Sequence, residues 1–386
     1  MVAATDAVIA IFELDRIINK KSTVMKMLGK ALTLLLAVMA TLAADAQQKL
    51  TWSVDFGTVF ENREGDNYYS PDQTIFFTRL SPEVGLSMLD GMHNIAGGVS
   101  WIQPVGNGWR DYKLCPTLYY SYKSPTWRLA VGMLPRTMLL EEMHTVLLSD
   151  SMRYWQPNIR GVLLQYVKPK GFFELSLDWR SLQTDTQREA FNVNFNGRWN
   201  PCGALLVGGR VQLNHLAKSS SDYEDQGVND DITVNPYVGL NLSHRSALDS
   251  LEIKAGPIIN IERDRRYDDG WRVPCGVLVD AVAEWRRLGI KETFYAGKNL
   301  YPLYPRYGSL LNMGDPNYQA KLYSRTDVYA YIFRNKYVDF RASLDFHYTK
   351  EAFTFWQNLT VRVFIGKRKD LLPFTSYLNQ RGGRRR

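Results

Sequence analysis

Residues 337–348 read YVDFRASLDFHY, and apolar and polar side chains alternate along this stretch without interruption. Phe340, Leu344 and Phe346 fall on one face, and Asp339 and Asp345 fall on the other. Successive side chains of a β-strand point to opposite faces, so the pattern predicts a strand with one apolar face and one charged face. What each face contacts has to be inferred from the rest of the chain.

The same alternation recurs throughout the chain, for example in FFELSLDWR (172–180), FNVNFNGRW (191–199) and LEIKAGPIINIE (251–262). Such segments predict about sixteen strands, with fourteen as the alternative count. Their predicted ranges are 49–60, 74–88, 93–104, 111–123, 126–136, 157–167, 171–181, 188–199, 203–214, 232–243, 250–261, 271–286, 288–297, 318–334, 336–348 and 352–366.

The connections between these strands alternate in length. Links after even-numbered strands are short, as in LDGM (89–92), whereas several links after odd-numbered strands are long. The long ones are 61–73, 137–156, 215–231, 262–270 and 298–317. Short periplasmic turns and long extracellular loops are typical of a transmembrane β-barrel, whose apolar face meets lipid and whose polar face lines the lumen. The sequence therefore predicts an all-β fold, a membrane-spanning antiparallel up-and-down barrel with a water-filled interior. A secreted sandwich, the alternative, needs other elements to cover every apolar face.

The two ends of the chain differ from its middle, and the first end predicts export. Residues 25–46 contain Lys26 and Lys30, an apolar segment and the small residues Ala44 and Ala46, the pattern of a secretory signal peptide. We expect residues 1–24 to be an upstream extension, residues 47–366 to be the barrel and residues 367–386 to be a basic periplasmic tail. The tail holds seven Lys/Arg and one Asp, so the basic charge belongs to the tail and no nucleic-acid partner is predicted for the body.

Signal peptide, alternating strands and sorted loop lengths together resemble Gram-negative outer-membrane β-barrels of porin type, from Gln47 to about Gly366. The resemblance implies an outer-membrane location and a third long loop, 137–156, that folds into the barrel. Its acids Glu141, Glu142 and Asp150 would then face basic residues of the wall and form a constriction. A lid over the barrel mouth or a partner-binding patch is the alternative for this apolar loop. The other predicted pore-lining residues are Arg180, Arg198, Arg210, Arg325, Asp327, Asp339, Arg341, Asp345 and Arg362.

Three functions follow from this interpretation. The first is a channel for passive diffusion of small polar solutes. The second is a closed or plugged barrel that binds or scaffolds a larger envelope complex, docked through the 367–386 tail or as a homo-oligomer. The third is an outer-membrane lipid hydrolase, for which His244 and Ser246 in LSHRSA offer a base and a nucleophile. Since no third catalytic residue can be chosen, the sequence predicts that the chain is not an enzyme. Outer-membrane lipid is the expected surrounding partner, and no cofactor or metal is predicted.

Overall fold

The structure is a computed structural model, and it describes residues 48–65, 67–221, 226–243 and 245–366, without the side chains of residues 268 and 269. Most of these residues lie in β-strands. The predicted upstream extension, signal peptide and basic tail lie outside the described residues, as does His244.

Sixteen long strands form one closed antiparallel wall, which confirms the predicted barrel. Each strand pairs with the next along the chain, and the last strand pairs back to the first with Ser53 opposite Gly366. A short extra strand, β12, pairs only with the end of β11, so that β11 continues directly to β13. The strands are β1 (Gln48–Glu64), β2 (Gln73–Met88), β3 (His93–Pro104), β4 (Lys113–Lys123), β5 (Trp127–Pro135), β6 (Asn158–Lys168), β7 (Gly171–Ser181), β8 (Ala190–Trp199), β9 (Leu205–Leu216), β10 (Asn229–Asn241), β11 (Ser250–Asp264), β12 (Asp268–Arg272), β13 (Cys275–Trp285), β14 (Leu288–Gly297), β15 (Leu322–Arg334), β16 (Val338–Thr349) and β17 (Phe353–Gly366).

The alternation along β16 sorts side chains as the sequence predicts. Leu344 and Tyr348 are about half exposed on the outer surface, whereas Asp345 and His347 between them are fully buried inside. Aromatic rings gather on the outer surface at the short-turn rim. Tyr166 stacks on Phe173 and packs edge to face against Trp127, with centroids about 5 Å apart. Such aromatic belts mark the interface between lipid and water.

Two loops enter the barrel from the long-loop rim. We call residues 136–157 the first luminal loop and residues 298–321 the second luminal loop. The first contains helix α1 (Asp150–Trp155), which Ser149 caps by accepting a hydrogen bond from the Met152 amide. The second contains helix α2 (Tyr304–Tyr307) and the 3₁₀ turns Gly308–Leu310 and Pro316–Gln319. None of the described helices is long and apolar enough to cross a membrane.

The luminal loops bind each other and share a packed core with the wall. The Asp315 amide donates to the Thr145 carbonyl at 2.9 Å, and the Ser149 amide donates to the Met313 carbonyl at 2.8 Å. Gly314 allows this approach, because a Cβ there would overlap the Val146 carbonyl. The core around the contact consists of Val146, Leu147, Ile258, Leu278, Tyr295, Leu300, Tyr301, Tyr318 and Tyr323. This part of the lumen is packed with side chains, which differs from the expected water-filled interior.

Candidate functional site

The acids of the first luminal loop lie inside the barrel, and two of the three contact wall arginines. Arg198 donates to Glu141 at 2.9 Å, and Arg325 donates to Asp150 at 2.6 Å. Glu142 instead pairs with Arg153 of its own loop. Between this loop and β7 to β9 the remaining cavity is about 20 Å³, which is room for about one water molecule.

Three of the wall residues predicted to line a pore, Arg325, Asp327 and Asp345, meet in one buried network with Asp150. Arg325 also contacts Asp327 at 2.7 Å and Asp345 at 3.2 Å, so one guanidinium is shared by three carboxylates. Because a buried ion pair is stable only when its remaining donors and acceptors are satisfied, this arrangement ties the first luminal loop to the wall.

Elsewhere in the lumen, the remaining predicted residues have other protein contacts. Arg180 donates to the Ser309 carbonyl of the second luminal loop at 3.0 Å. Three further pairs are Arg210 with Asp280 at 2.9 Å, Arg362 with Asp55 at 2.8 Å and Asp339 with Arg334 at 3.9 Å. The Arg341 guanidinium lies 5.0 Å from the ring centre of Tyr329. The charged lumen thus holds residues that anchor loops and pair with one another.

The outer surface carries a histidine paired with a carboxylate. His215 and Asp230 lie opposite each other on β9 and β10, and both point outward, since Asn214 and Leu216 beside His215 are buried inside. Nδ1 of His215 lies 3.1 Å from Oδ1 of Asp230. A carboxylate oxygen only accepts, so in the neutral imidazole Nδ1 carries the proton and Nε2 holds a lone pair. Among the described residues, Nε2 has no hydrogen-bond partner.

A second charge holds this pair in place. Nε and Nη2 of Arg265, just beyond the end of β11, both donate to Oδ2 of Asp230, at 2.9 and 2.7 Å. One carboxylate oxygen therefore faces the imidazole and the other faces the guanidinium. This arrangement fixes the carboxyl group and keeps a negative charge beside His215.

Aromatic rings flank the pair along one row of the sheet. The His215 ring stacks on Phe191 at 4.9 Å, and Phe191 stacks on Trp179 at 5.0 Å. Asp230 is opposite Arg263 on β11, whose guanidinium lies 5.4 Å from the Trp271 ring. The row lies at the long-loop rim, because β9 ends one residue after His215 and the long connection to β10 follows.

The other described histidines differ from His215. His144, in the first luminal loop, uses both nitrogens, because Nε2 contacts Asp280 at 2.8 Å and Nδ1 accepts from the Val146 amide at 3.1 Å. Burial lowers the pKa of His144 to about 4, so it is neutral at pH 7.

His347, on the polar face of β16, is fully buried in the lumen. Its Nδ1 contacts the Tyr323 hydroxyl at 2.8 Å and its ring stacks on Trp356. His93 bonds the Tyr120 hydroxyl at 2.7 Å at the short-turn rim. Within the described residues, His215 alone combines a carboxylate on one nitrogen with an outward position at the long-loop rim.

The sequence prediction missed this pair because of strand boundaries. It ended one strand at residue 214 and began the next at residue 232, so His215 and Asp230 both fell in a loop. In the structure β9 continues to Leu216 and β10 begins at Asn229, which brings the two side chains together across the sheet. His215 and Asp230 both continue the alternation of outward side chains along their strands, and this pattern in the sequence could have revealed them.

Comparison with solved structures shows the fold. The loop L8 deletion mutant of OmpT, an outer membrane protein of Vibrio cholerae, is similar with a TM-score of 0.50 and 9% identity, covering 83% of this chain and 100% of that chain. OprB of Pseudomonas putida has a TM-score of 0.49 and 10% identity, with 84% and 96% covered. The outer membrane protein OpdK of Pseudomonas aeruginosa has a TM-score of 0.46 and 10% identity, with 83% and 99% covered. The chain is a porin-type barrel of the Gram-negative outer membrane.

Comparison of the sequence with protein families gives a match of a different kind. The family described as "Lipid A 3'-O-deacylase-type" matches residues 42–365, well over half of the chain. No curated protein matches the chain. The prediction that the chain is not an enzyme is wrong, because the matching family is an enzyme family. The catalytic residues considered from the sequence are His244 and Ser246 at a short turn, whereas the outward pair lies at the other rim.

Proposed function

The chain belongs to the lipid A 3'-O-deacylase-type family, and we propose that it hydrolyses an acyl ester of an outer-membrane lipid with His215 as general base. The observation that carries the proposal is the hydrogen-bonded pair of His215 and Asp230 on the lipid-facing wall at the long-loop rim. Lipid esters lie at the boundary between headgroups and acyl chains. A side chain that reaches them from a barrel must therefore face lipid close to a rim.

The chemistry needs one water molecule and one proton shuttle. Nε2 of His215 takes a proton from water while the water oxygen attacks the ester carbonyl carbon. The tetrahedral intermediate then breaks its bond to the alkoxide oxygen, and the imidazolium gives the proton to that oxygen. The products are a fatty acid and an alcohol, and His215 returns to its starting form. Asp230 stabilises the imidazolium and holds the tautomer that leaves Nε2 free to accept.

Arginines at the same rim suit an anionic substrate. Arg265 holds Asp230 and is a positioning residue, while Arg263 lies across from Asp230 on the same outer face. Guanidinium groups bind phosphate oxygens with two parallel hydrogen bonds. A phosphorylated lipid headgroup would therefore be retained beside His215, with its acyl chains lying along the apolar wall below.

The proposal is tested by fatty-acid release from purified lipid A in mixed micelles, measured by mass spectrometry. We expect His215→Ala to lower turnover by about 100-fold or more, because general base catalysis contributes that much. His93→Ala is the matched control, since His93 also lies on the wall with one nitrogen bonded but at the opposite rim. Equal turnover of His215→Ala and the unsubstituted protein would exclude His215 as the base.

Passive diffusion of small polar solutes is a second candidate function, which the paired charges of the lumen favour. Solutes would pass between the acids Glu141 and Asp150 and the arginines that bind them. Since the luminal loops pack tightly there, passage requires the first luminal loop to leave the wall. In planar bilayers we expect little conductance from the intact chain and a stable increase after deletion of residues 137–156. Brief openings of the intact chain would support the channel, and no conductance from either protein would exclude it.

A further inference from the structure

A second polar cluster lies on the lipid-facing wall, far from the His215 row. Glu292 of β14 and Ser324 and Thr326 of β15 point outward, because Thr293 and Arg325 beside them are buried inside. Along the sheet, Glu292 is four strand spacings from His215, about 19 Å. The outer neighbours of the cluster are apolar, since Ile290, Phe294 and Val328 are each 37–46% exposed to the surroundings of the barrel.

The carboxyl group of Glu292 is held by both hydroxyls. Ser324 donates to Oε1 at 2.6 Å, and Thr326 donates to Oε2. A carboxylate has about four acceptor positions, so the two hydroxyls leave acceptor capacity on the side that faces the membrane. Ionisable groups on a lipid-facing surface are costly and rare, and those that persist usually serve binding or transport.

A groove in the outer wall begins at Glu292. Its volume is about 370 Å³, which is within the range of small-molecule sites. Two of its lining residues, Ala281 and Ala283, have short side chains, and the other apolar ones are larger. The apolar lining includes Leu240, Leu251, Ile253, Ala281, Ala283 and Ile290.

We propose that this groove binds one acyl chain of a membrane lipid and that Glu292 accepts a hydrogen bond from a hydroxyl or amide N–H on that lipid. The occupant follows from location, because the groove lies in the wall of an outer-membrane barrel. Its lining is apolar except for Glu292 and Glu252, and the Glu252 side chain is buried with Arg198. An acyl chain fills an apolar groove without unsatisfied polar groups, and a donor on the chain satisfies the carboxyl group. The site is separate from the proposed hydrolysis and does not depend on it.

The test is native mass spectrometry of the full chain released from lipid nanodiscs. The probes are phosphatidylethanolamine with 3-hydroxymyristoyl chains and the matched lipid with myristoyl chains. We expect the protein to retain the hydroxylated probe about two- to tenfold better, the effect of one hydrogen bond. Glu292→Leu should abolish that preference, and Ala281→Leu with Ala283→Leu should reduce retention of both probes.

Controls separate the proposal from its alternatives. Ala330→Leu also enlarges an outward alanine, but it lies on β15 outside the groove and should change nothing. If the double alanine variant does not fold, Ala281→Val alone makes the same test.

Equal retention of the two probes would overturn the role of Glu292. Unchanged retention by the groove variants would overturn the groove. If the groove variants lose a dimer of the chain and not a bound lipid, the groove binds a second copy of the chain.

Discussion

The lumen and the lipid-facing wall of this barrel differ in how their polar side chains are used. Inside, charges are numerous and bind one another, as Arg325 does with Asp150, Asp327 and Asp345. Outside, the surface is mostly apolar, and the few polar groups form small clusters such as His215 with Asp230.

The comparison of His144 and His215 shows the consequence for chemistry. Both contact an aspartate, at 2.8 and 3.1 Å. His144 is buried and its second nitrogen accepts a backbone amide, so it has no lone pair for a substrate. His215 points outward at the long-loop rim, and its Nε2 has no hydrogen-bond partner among the described residues. A histidine and a carboxylate are therefore structural in one region and suited to catalysis in the other.

The largest effect is expected inside the lumen, from Arg325→Met. This variant leaves three buried carboxylates without their shared cation, and breaking a buried pair in this way costs about 3–5 kcal/mol of unfolding free energy. Urea unfolding followed by heat-modifiable gel mobility measures the loss. Arg334→Met is the control, since its 3.9 Å contact with Asp339 is partly exposed and should contribute less than about 1 kcal/mol. Equal losses in the two variants would contradict a specific luminal network.

A pH effect of similar size is expected from His144. Its pKa is about 4 in the folded protein because it is buried, and about 6.5 in the unfolded chain. Between these values the unfolded chain binds a proton that the folded protein does not, so stability falls as pH falls from 6.5 towards 4. The loss reaches about 3 kcal/mol. His144→Gln should flatten the curve in this window. Identical pH profiles for the two proteins would show that His144 does not cause the pH dependence of stability.

A smaller effect is expected on the wall, from Asp230→Asn. An amide that donates to Nδ1 of His215 places the imidazole proton on Nε2, which removes the base. We expect kcat to fall about 10- to 100-fold with little change in KM, measured as fatty-acid release. Asp185→Asn is the matched control, because Asp185 lies at the same rim and contacts only Ser220 among the described residues. Equal kcat for the two variants would show that Asp230 does not orient His215.

The barrel could be predicted from the sequence because alternation and loop length are local signals. The stretch 337–348 illustrates this, with Leu344 outside and Asp345 inside as its pattern indicates. Strand ends were less certain. One predicted strand began at residue 271, whereas the structure has the short strand Asp268–Arg272 and a new strand from Cys275.

The candidate site could not be predicted in the same way, because it depends on register between strands. His215 and Asp230 are fifteen residues apart, and their contact requires β9 and β10 to extend past the predicted ends. The luminal contacts depend on how two loops distant in sequence fold together, as Tyr318 and Thr145 do. The outward position of Glu292 could have been predicted from the sequence, since it is a charged residue between the outward residues Ile290 and Phe294.

The proposed chemistry lies on the lipid-facing wall, and the luminal histidine is structural. The most direct test compares lipid A turnover by His215→Gln and His144→Gln, normalised to folded protein. We predict that His215→Gln loses at least about 100-fold in turnover, whereas His144→Gln stays close to the unsubstituted protein and is less stable. Loss of turnover in His144→Gln with normal turnover in His215→Gln would contradict the claim and place the reaction in the lumen.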